Sequence, residues 1–389
     1  MRVAYVCADP GIPVFGTKGA SVHVREVIRA MRRRDMQVEL FTARPGGTPP
    51  DDLADLAVHD LGRVSHRDVG VREQLLMDAD ARWRDTLDLA GPFDMVYERY
   101  ALWATAGMRH AAAHGVPGVL EVNAPLVREQ AAHRHLVHHA AAEQMTAAAM
   151  AAASTRIAVS EPVAAWAQQQ ANGRAVHVVS NGVDTDRITP QRAPGTPGFT
   201  VGFVGTLKPW HGTPVLLDAF ARLASARPAS RLLMVGDGPM RADLEARAAR
   251  LGIADRVTFT GAVAAEEVPR LLGAMDVGMA PYPAGDHYFS PLKVYEYLAA
   301  GLPAVASRVG AMAQTIDDGV TGVLTRPGDV AGMALALMRL HDDPAARRRM
   351  GAAAREQAVA RHTWDHALEQ ILNAAAAERP QPILAGAVS

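Results

Sequence analysis

The side chains best suited to chemistry lie between residues 286 and 307, in the stretch DHYFSPLKVYEYLAAGLPAVAS. Ser290 is predicted to cap a helix, and Pro291 suits its first position because the amide that proline lacks would be unpaired there. The first turn of such a helix has free N–H groups, and Lys293 adds a positive charge, so the turn suits a phosphate. Glu296 follows at helical spacing, where a carboxylate suits the paired hydroxyls of a ribose. An ordinary i,i+3 Lys–Glu pair on a helix is an equally good interpretation of this spacing.

The helix that positions these groups is predicted from apolar spacing. Four side chains recur at helical intervals and mark one buried face: Leu292, Tyr295, Leu298 and Ala299. Gly301 is expected to end the helix, and Pro303 prevents its continuation. The apolar run 304–306 then predicts a buried strand.

A glycine-rich loop follows the first predicted strand, residues 3–8. In this loop, DPGIPVFGTKGAS, Gly16 and Gly19 let the backbone approach a ligand closely. A helix capped by Ser21 is predicted next. The loop lacks the GxGxxG fingerprint, and a simple turn that glycine makes easy explains it equally well.

A second loop, from Gly205 to Gly212, follows the predicted strand 200–204. Lys208 is its only fixed cation, and Thr213 is expected to cap the next helix. An exposed lysine in a turn is the alternative to a ligand contact.

Three charged or polar residues come at the carboxyl end of the short predicted strand MVY: Glu98, Arg99 and Tyr100. Open α/β sheets place ligands beyond the carboxyl ends of their strands, so these residues are candidates for a substrate contact. An ion pair within the loop is the alternative.

Together these segments resemble the retaining glycosyltransferases of family four, which have the two-Rossmann-domain (GT-B) fold. The resemblance covers essentially the whole chain. In that family the donor helix usually shows Glu, seven residues, then Glu. Glu296 matches the second acid, which holds the nucleotide ribose in the family, and Tyr288 occupies the first position, as in a variant with Ser-Pro-Leu-Lys before the Glu-Tyr pair. Asp286 is a nearby acid that could supply the contact to the donor sugar.

The resemblance implies roles for residues in both halves. Lys208, supported by His211, takes the place of the Arg and Lys that clamp the diphosphate in relatives. Asn123 stands where many members carry a His near the transferred sugar; its amide can hydrogen-bond a hydroxyl but cannot accept a proton as imidazole does. The implied acceptor contacts are Glu98, Arg99 and Tyr100. The implied donor contacts are Gly16, Gly19, Gly205, Thr206, His211, Val263, Asp286, Tyr288, Ser290, Pro291, Leu292 and Glu296.

The implied activity is transfer of a sugar, with retention, from a UDP- or GDP-sugar to a hydroxyl or other nucleophile of a small-molecule or glycan acceptor. Such a reaction belongs to natural-product or cell-envelope biosynthesis. Lys208, Lys293 and Asn123 are the expected catalytic residues, with the lysines facing the charge on the departing phosphate. No metal or other cofactor is expected. A pseudo-glycosyltransferase that makes a non-glycosidic bond and a nucleotide-sugar-binding partner without turnover remain as alternatives.

The implied fold is α/β, with two Rossmann-like domains that face each other across a cleft. An acceptor-side domain is expected over residues 1–190 and a donor domain over residues 197–360. A C-terminal helix at 363–378 is expected to cross back onto the first domain. The Pro- and Gly-rich stretch 189–198 is the predicted linker.

Two apparent metal motifs are interpreted as structural. A long alanine-rich helix is predicted over residues 128–153, and its His135 and His139 have i,i+4 spacing. They lack the HExxH pattern and a nearby pair of cysteines, so no metal site is expected. The Asp184-Thr185-Asp186 triplet follows an Asn-Gly turn signal and is interpreted as a turn.

Composition narrows the class of protein. A net charge of -1 and a pI near 7.0 provide no field for nucleic acid. A single cysteine, Cys7, excludes an internal disulfide framework and fits a reducing cytoplasm. No apolar run approaches the roughly 20 residues that span a bilayer. The arginine-rich helix end at 29–34 allows at most peripheral membrane contact, so a cytoplasmic enzyme is expected.

Overall fold

The computed structural model describes residues 1–191, 198–285 and 287–378, without the side chain of His133. The chain divides into two compact units. The first comprises Met1–Ser180 together with the chain from Ala367 onward, and the second is Asn181–His366. Most of the predicted linker lies outside the described residues.

The first unit is built on seven parallel strands in the order β3-β2-β1-β4-β5-β6-β7. Its β1 and β5 strands are almost entirely buried, as expected for strands of a parallel sheet. The elements are β1 (Arg2–Cys7), α1 (Gly19–Arg33), β2 (Gln37–Thr42), β3 (Ala57–Asp60), α2 (Val69–Ala90), β4 (Met95–Arg99), α3 (Ala106–His114), β5 (Gly118–Val122), α4 (Leu126–His133), α5 (His139–Ala152), β6 (Thr155–Ala158), α6 (Glu161–Gln170) and β7 (His177–Val178).

The second unit repeats this plan with six parallel strands in the order β10-β9-β8-β11-β12-β13. Both sheets therefore have the Rossmann strand order, which confirms the predicted pair of Rossmann-like α/β domains. The elements are β8 (Thr200–Val204), α7 (Thr213–Ala226), β9 (Arg231–Val235), α8 (Arg241–Arg250), β10 (Val257–Gly261), α9 (Val268–Leu272), β11 (Val277–Ala280), α10 (Leu292–Ala299), β12 (Ala304–Ser307), α11 (Met312–Thr315), β13 (Gly322–Thr325), α12 (Val330–Asp342), α13 (Pro344–Arg361) and α14 (Trp364–Ala377).

Two apolar clusters cover the two faces of the second sheet. Along β12, Ala304 and Ala306 belong to one cluster and Val305 to the other. This alternation follows from the two-residue period of a strand. None of the helices in the described residues combines the length and apolar character that crossing a bilayer requires.

The predicted helix over 128–153 is wrong, because the structure has two helices, α4 and α5, at this point. Arg134 is extended, with φ of -143° and ψ of 158°. The buried carboxylate of Glu73, from α2, accepts the N–H groups of Val137 and His138 at 2.9–3.2 Å. A carboxylate at this place satisfies donors that a continuous helix would have used internally, so a new helix begins there.

Residues 181–191 and the last helix show how the two units divide. Val183 N–H donates to the carbonyl of His362 at 2.7 Å, and Arg355 donates to the carbonyls of Thr185 and Ile188. These contacts hold 181–191 within the second unit. The division passes through α14 at Ala367, so most of this helix belongs to the first unit.

The arginine-rich end of α1 is occupied by ion pairs within the first unit. Arg29 contacts the carboxylate of Asp52 at 2.6 Å, and Arg32 contacts that of Asp55 at 2.6 Å.

The Asp184 triplet is a turn, as predicted, because Oδ1 of Asp184 accepts the N–H groups of residues 186 and 187.

Candidate active site

Each sheet has one point where the strand order reverses, between β1 and β4 in the first unit and between β8 and β11 in the second. In open α/β sheets a ligand crevice forms beyond the carboxyl ends of the strands at this point. The predicted residues lie there: loop 205–212 follows β8, segment 281–291 follows β11, and Arg99 ends β4.

The loop after β8 is held by close backbone contacts. Gly205 N–H donates to the carbonyl of Val235, and Leu207 N–H to that of Asp237, both at 2.9 Å. A Cβ on Gly236 would lie 2.2 Å from the carbonyl oxygen of Gly205. Side chains are thus excluded from the point where the ends of β8 and β9 meet.

Gly212 ends this loop in a conformation that only glycine adopts readily. Its φ is 66°, and a Cβ there would lie 1.7 Å from the carbonyl oxygen of Pro281. Gly212 is also the N-cap of α7. The predicted cap, Thr213, is wrong: it is the first helical residue, and its buried hydroxyl has no hydrogen-bond partner among the described residues.

Helix α10, the predicted donor helix, begins one residue later than predicted. Pro291 is the N-cap, with φ of -81° and ψ of 53°, and no side chain caps the helix. The Ser290 hydroxyl is buried without a hydrogen-bond partner in the described part of the chain, so the predicted serine cap is wrong. The cause is local: Leu292 N–H bonds instead to the backbone carbonyl of Ser290, at 2.9 Å.

The other end of α10 confirms the prediction. Gly301 has a φ of 68°, its N–H donates to the carbonyl of Leu298, and the N–H of Leu302 donates to that of Tyr297. This is the paired hydrogen-bond pattern of a Schellman motif.

Lys293 carries a buried amine with no hydrogen-bond partner among the described residues. Its stem is partly exposed, but Nζ is buried 4.4 Å from the centroid of the Phe203 ring and 4.9 Å from that of Tyr282. Burial lowers the pKa of Lys293 to about 7, although the carboxylate of Glu296 acts in the opposite direction. Unpaired buried charges are costly, so this group is a strong candidate for a ligand contact.

A pKa well below 7 makes His211 neutral at pH 7. Burial, and then the charge of Lys293, lowers its pKa to about 3. Its Nδ1 donates to the carbonyl of Thr206 at 2.5 Å, which leaves Nε2 as an acceptor. Lys208 is partly exposed, with Nζ 5.4 Å from the ring of Trp210, and Thr206 is exposed. Positive charge in this loop therefore comes from Lys208, without a contribution from His211.

Aromatic rings surround the Lys293 amine. The Tyr282 ring that contacts Nζ lies 4.6 Å from Phe289, 5.5 Å from His287 and 5.6 Å from His211, measured between centroids. Because Nζ is not accessible to solvent, an anion reaches it only if one of these side chains moves.

The remaining predicted donor residues of the second unit have varied positions. Tyr288 is half-buried, and Glu296 is half-exposed on α10, three residues after Lys293. Val263 is partly buried against one of the apolar clusters, two residues beyond β10. Asp286 lies outside the described residues.

In the first unit, Gly16 and Gly19 differ in their surroundings. Gly16 N–H donates to the carbonyl of Pro13, and a Cβ on Gly16 would lie 2.8 Å from the Pro13 ring. Gly19 has open space beside it and is the first residue of α1, whose N-cap is Lys18. The predicted cap, Ser21, is wrong, because this residue is buried inside the first turn.

Glu98 and Tyr100 are buried, whereas Arg99 is partly exposed. Strand β4 extends to Arg99, beyond the predicted MVY, because Glu98 and Arg99 still pair with β5. Glu98 accepts the N–H of Met108 in the first turn of α3, and burial raises the pKa of Glu98 to about 8. The Tyr100 hydroxyl bonds to that of Thr146 at 2.7 Å.

Arg99 is held by a buried network that the sequence analysis missed. Its guanidinium lies 2.9 Å from Nδ1 of His23, and Nε2 of His23 lies 3.0 Å from the carboxylate of Glu121. Since a guanidinium only donates, the His23 proton lies on Nε2 and is donated to Glu121. Burial alone would raise the pKa of Glu121, but His23, Arg99 and the adjacent Asn123 lower it. The sequence signal was the single acid in the otherwise apolar strand GVLEV.

The chain has three lysines. Lys208 and Lys293 lie in the segments that follow β8 and β11, and Lys18 is the N-cap of α1. The other basic side chains with a fixed charge are arginines. A lysine changes its pKa readily on burial and an arginine does not, and burial lowers the pKa of Lys293, so this lysine singles out the strand ends of the second unit.

The amino-acid sequence matches profiles of two glycosyltransferase families. Residues 17–187 match Glycosyltransferase Family 4, and residues 198–343 match Glycosyl transferases group 1. A D-inositol 3-phosphate glycosyltransferase of Stackebrandtia nassauensis is 30% identical over 387 residues, which cover 92% of this chain and 86% of the relative. The chain belongs to glycosyltransferase family 4. It is therefore an enzyme that transfers a glycosyl group to an acceptor.

Other relatives of this family 4 glycosyltransferase match over part or all of its length. A 2-deoxystreptamine glucosyltransferase of Streptomyces kanamyceticus is 35% identical over 183 residues, 44% of this chain and 46% of the relative. Sucrose-phosphate synthase of Thermosynechococcus elongatus has a similar structure, with a TM-score of 0.73 and 20% sequence identity. The match covers 96% of this chain and 98% of the synthase. HepE of Anabaena, solved with UDP and glucose, also has a similar structure, with a TM-score of 0.72 and 22% sequence identity. The match covers 97% of this chain and 100% of HepE. These structures share the GT-B fold with this chain.

Within the glycosyltransferase, the second unit brings together four of the predicted donor residues and two of the predicted catalytic residues. The donor residues are Gly205, Thr206, His211 and Glu296, and the catalytic residues are Lys208 and Lys293. Val263 is not part of this set, because it follows β10, an edge strand that is two strands away from β8. In the first unit, Arg99 and Asn123 adjoin one buried carboxylate, and Glu98 and Tyr100 are engaged elsewhere. The arrangement offers cations in the second unit and a fixed guanidinium with an adjacent amide in the first.

Proposed function

We propose that this enzyme is a retaining glycosyltransferase that uses a nucleoside-diphosphate sugar held mainly by the second unit. The observation that carries the proposal is the buried Lys293 amine, which has no hydrogen-bond partner among the described residues. It adjoins Gly205, since a Cβ on that residue would lie 3.3 Å from Nζ. An anion at this place would pair with a charge that otherwise costs free energy to bury.

A diphosphate is the anion that best fits the surroundings of Lys293. The positive end of the α10 dipole and the partly exposed Lys208 supply further positive charge at the same strand ends. Glu296 is placed to accept hydroxyl groups of the ribose. UDP is our first choice of nucleotide because HepE, a structural neighbour, was solved with UDP and with UDP-glucose.

The proposed reaction is front-face transfer. The bond between the anomeric carbon and the phosphate oxygen breaks, and the acceptor oxygen attacks from the same face. The acceptor proton passes to the departing phosphate oxygen, so no basic side chain is needed. Lys293 and Lys208 stabilise the charge that develops on this oxygen, and one well-placed group of this kind is worth about 3 kcal/mol of barrier. Because these cations serve the leaving group, we expect no metal requirement.

The acceptor in this proposal is a small polyhydroxylated molecule or a glycan. Relatives are named for activity on D-inositol 3-phosphate and on 2-deoxystreptamine. Arg99 and Asn123 are the proposed contacts in the first unit, because Arg99 is partly exposed and is oriented by His23. Glu98 and Tyr100, both buried, support the end of β4 instead.

A thermal-shift screen with UDP, GDP, TDP and ADP tests the donor class. We expect one diphosphate to raise the melting temperature most, and Glu296→Ala to weaken its binding. Lys293→Ala should lower kcat by about a hundredfold, more than it weakens binding. Glu245→Ala is the matched control, since this acid lies on α8 in an exposed pair with Arg241. Unchanged nucleotide affinity in Glu296→Ala would contradict the ribose assignment. Release of a changed nucleotide sugar without an acceptor would indicate another reaction.

A further inference from the structure

A cluster of three potential metal ligands lies near the amino ends of strands β4 and β5 of the first sheet, at the end opposite to Arg99. Asp88 is near the end of α2, and His110 and His114 are one turn apart on α3. Oδ1 of Asp88 lies 2.5 Å from Nδ1 of His110 and 3.1 Å from Nε2 of His114. The two imidazole rings are 4.4 Å apart between centroids.

The three ligand atoms have the types and nearly the spacing that Zn²⁺ requires. They all lie within 4.8 Å of one another, and the described residues contain no second group of this kind. Imidazole nitrogen and carboxylate oxygen bind Zn²⁺ at about 2.0–2.2 Å, so tetrahedral ligand atoms are about 3.3 Å apart. The Asp88–His114 distance already agrees, and the Asp88–His110 distance needs an increase of less than about 1 Å.

One ligand is fixed and the other two are free to adjust. The His110 side chain is 2% exposed and contacts the edge of Phe93, whereas those of Asp88 and His114 are 42% and 53% exposed. Arg2, which stacks on Phe93, is paired with Glu39 at 2.6 Å, so its charge is compensated. The exposed side of the cluster leaves room for water as a fourth ligand.

We propose that Asp88, His110 and His114 form a structural site for a divalent ion of the Zn²⁺ class, which ties the end of α2 to α3. The end of α2 precedes the start of β4, and the end of α3 precedes the start of β5. The site is therefore at the amino ends of the strands, away from Arg99 and the sugar chemistry. Its role is to stabilise the first unit, and it does not depend on the proposed donor.

The test is metal titration of the untagged, chelator-treated full chain. We expect one Co²⁺ per chain with a visible absorption spectrum typical of tetrahedral N,O coordination, displaced by Zn²⁺, and a higher melting temperature with Zn²⁺. His114→Ala should weaken Zn²⁺ binding by at least about tenfold and abolish the shift in melting temperature. Asp88→Asn, which keeps the shape of the side chain, should have a similar effect.

The matched control is His341→Ala. His341 also contacts an aspartate, since its Nδ1 lies 2.7 Å from the carboxylate of Asp342. Among the described residues it belongs to no group of three potential metal ligands. This variant should bind Zn²⁺ as the wild type does. Absence of a Co²⁺ spectrum and of Zn²⁺ binding at 100 times the protein concentration would overturn the proposal. So would equal binding by wild type and His114→Ala.

Discussion

The ends of the central strands are built differently in the two units. In the first unit, the buried Glu121 carboxylate has His23 as its partner, and His23 in turn orients Arg99. In the second unit, the buried amine of Lys293 adjoins aromatic rings and lacks a hydrogen-bond partner among the described residues. The acid and the guanidinium of the first arrangement are linked through His23, although Oε2 of Glu121 and Nδ2 of Asn123 are buried without a hydrogen-bond partner in the described residues. The amine of the second arrangement has the Glu296 carboxylate nearby but no hydrogen bond to it. In the proposed reaction, this difference corresponds to an oriented contact for the acceptor and a donor contact that the donor itself completes.

The two regions also differ in what holds them. Side chains connect the strand ends in the first unit, but backbone groups do so in the second, where glycines permit very close approach. A substitution that adds a side chain should therefore be most damaging in the second unit, and one that removes a charge should be most damaging in the first.

Gly212→Ala should have the largest effect on stability. A Cβ at Gly212 would lie 1.7 Å from the carbonyl oxygen of Pro281, and the φ of 66° already disfavours alanine. We expect a loss of about 3 kcal/mol or more, from strain together with displacement of the segment after β11. Urea denaturation measures the loss.

Gly252→Ala is the control for that substitution. Gly252 has a φ of 68°, but a Cβ there would meet nothing within 4 Å. It should cost only the backbone strain, about 1 kcal/mol. Equal losses in the two variants would show that close backbone approach does not hold the loop after β8.

Glu121→Ala tests the network of the first unit. The carboxylate is buried and interacts with His23, Arg99 and Asn123. Its removal leaves the Arg99 charge without its nearest buried counterpart, and we expect a loss of about 3 kcal/mol in urea denaturation. Asp55→Ala removes an acid from an exposed pair with Arg32 and should leave the denaturation midpoint close to that of the wild type. A similar midpoint for both variants would refute the distinction between a buried network and a surface pair.

The fold could be predicted because each signal was local. Apolar runs gave the positions of β5, β8, β9 and β11, and glycine with proline gave the end of α10. The break between α4 and α5 could not be predicted, because the carboxylate of Glu73 that causes it lies 64 residues before Val137. The three predicted caps failed for a related reason. Ser21, Thr213 and Ser290 suit a cap by type, but backbone geometry places the N-cap three residues away from Ser21 and one residue away from Thr213 and Ser290.

The candidate site divides in the same way. Lys208, Lys293 and Glu296 could be predicted as site residues because their spacing is local to one loop or one helix. His23 and Glu121 were missed because their contact spans 98 residues of sequence. Burial, which lowers the pKa of His211 and makes it neutral, is likewise a property of the folded surroundings and not of the loop sequence.

Lys293→Met should stabilise the free protein, in contrast to the substitutions above. The variant removes a buried charge that lacks a hydrogen-bond partner in the described structure, so we expect a gain of about 1–2 kcal/mol at pH 7. The folded pKa, about 7, is below the value of 10.5 in the unfolded chain. The unfolded state therefore binds more protons above pH 7, and wild-type stability should rise between pH 7.5 and 8.5. The urea midpoint of the wild type should be higher at pH 8.5 than at pH 7.5, and the corresponding increase for Lys293→Met should be smaller.

Lys208→Met is the control for this pair of measurements. The Lys208 side chain is partly exposed, so its removal should leave the midpoint close to that of the wild type. A Lys293→Met protein that is less stable than the wild type would mean that the amine already has an anionic partner before the donor binds. The contrast between the two units would then disappear.

Proton uptake on nucleotide binding is the smallest effect expected and the most specific to this contrast. At pH 8 the Lys293 amine is mostly neutral when its pKa is about 7. A diphosphate beside it favours the charged form, while the phosphate groups, with a last pKa of about 6, are already ionised. Binding should therefore take up a fraction of a proton, seen calorimetrically as a dependence of the binding enthalpy on the ionisation enthalpy of the buffer. The uptake should vanish in Lys293→Met but persist in Lys208→Met, because the second variant keeps the buried Lys293 amine.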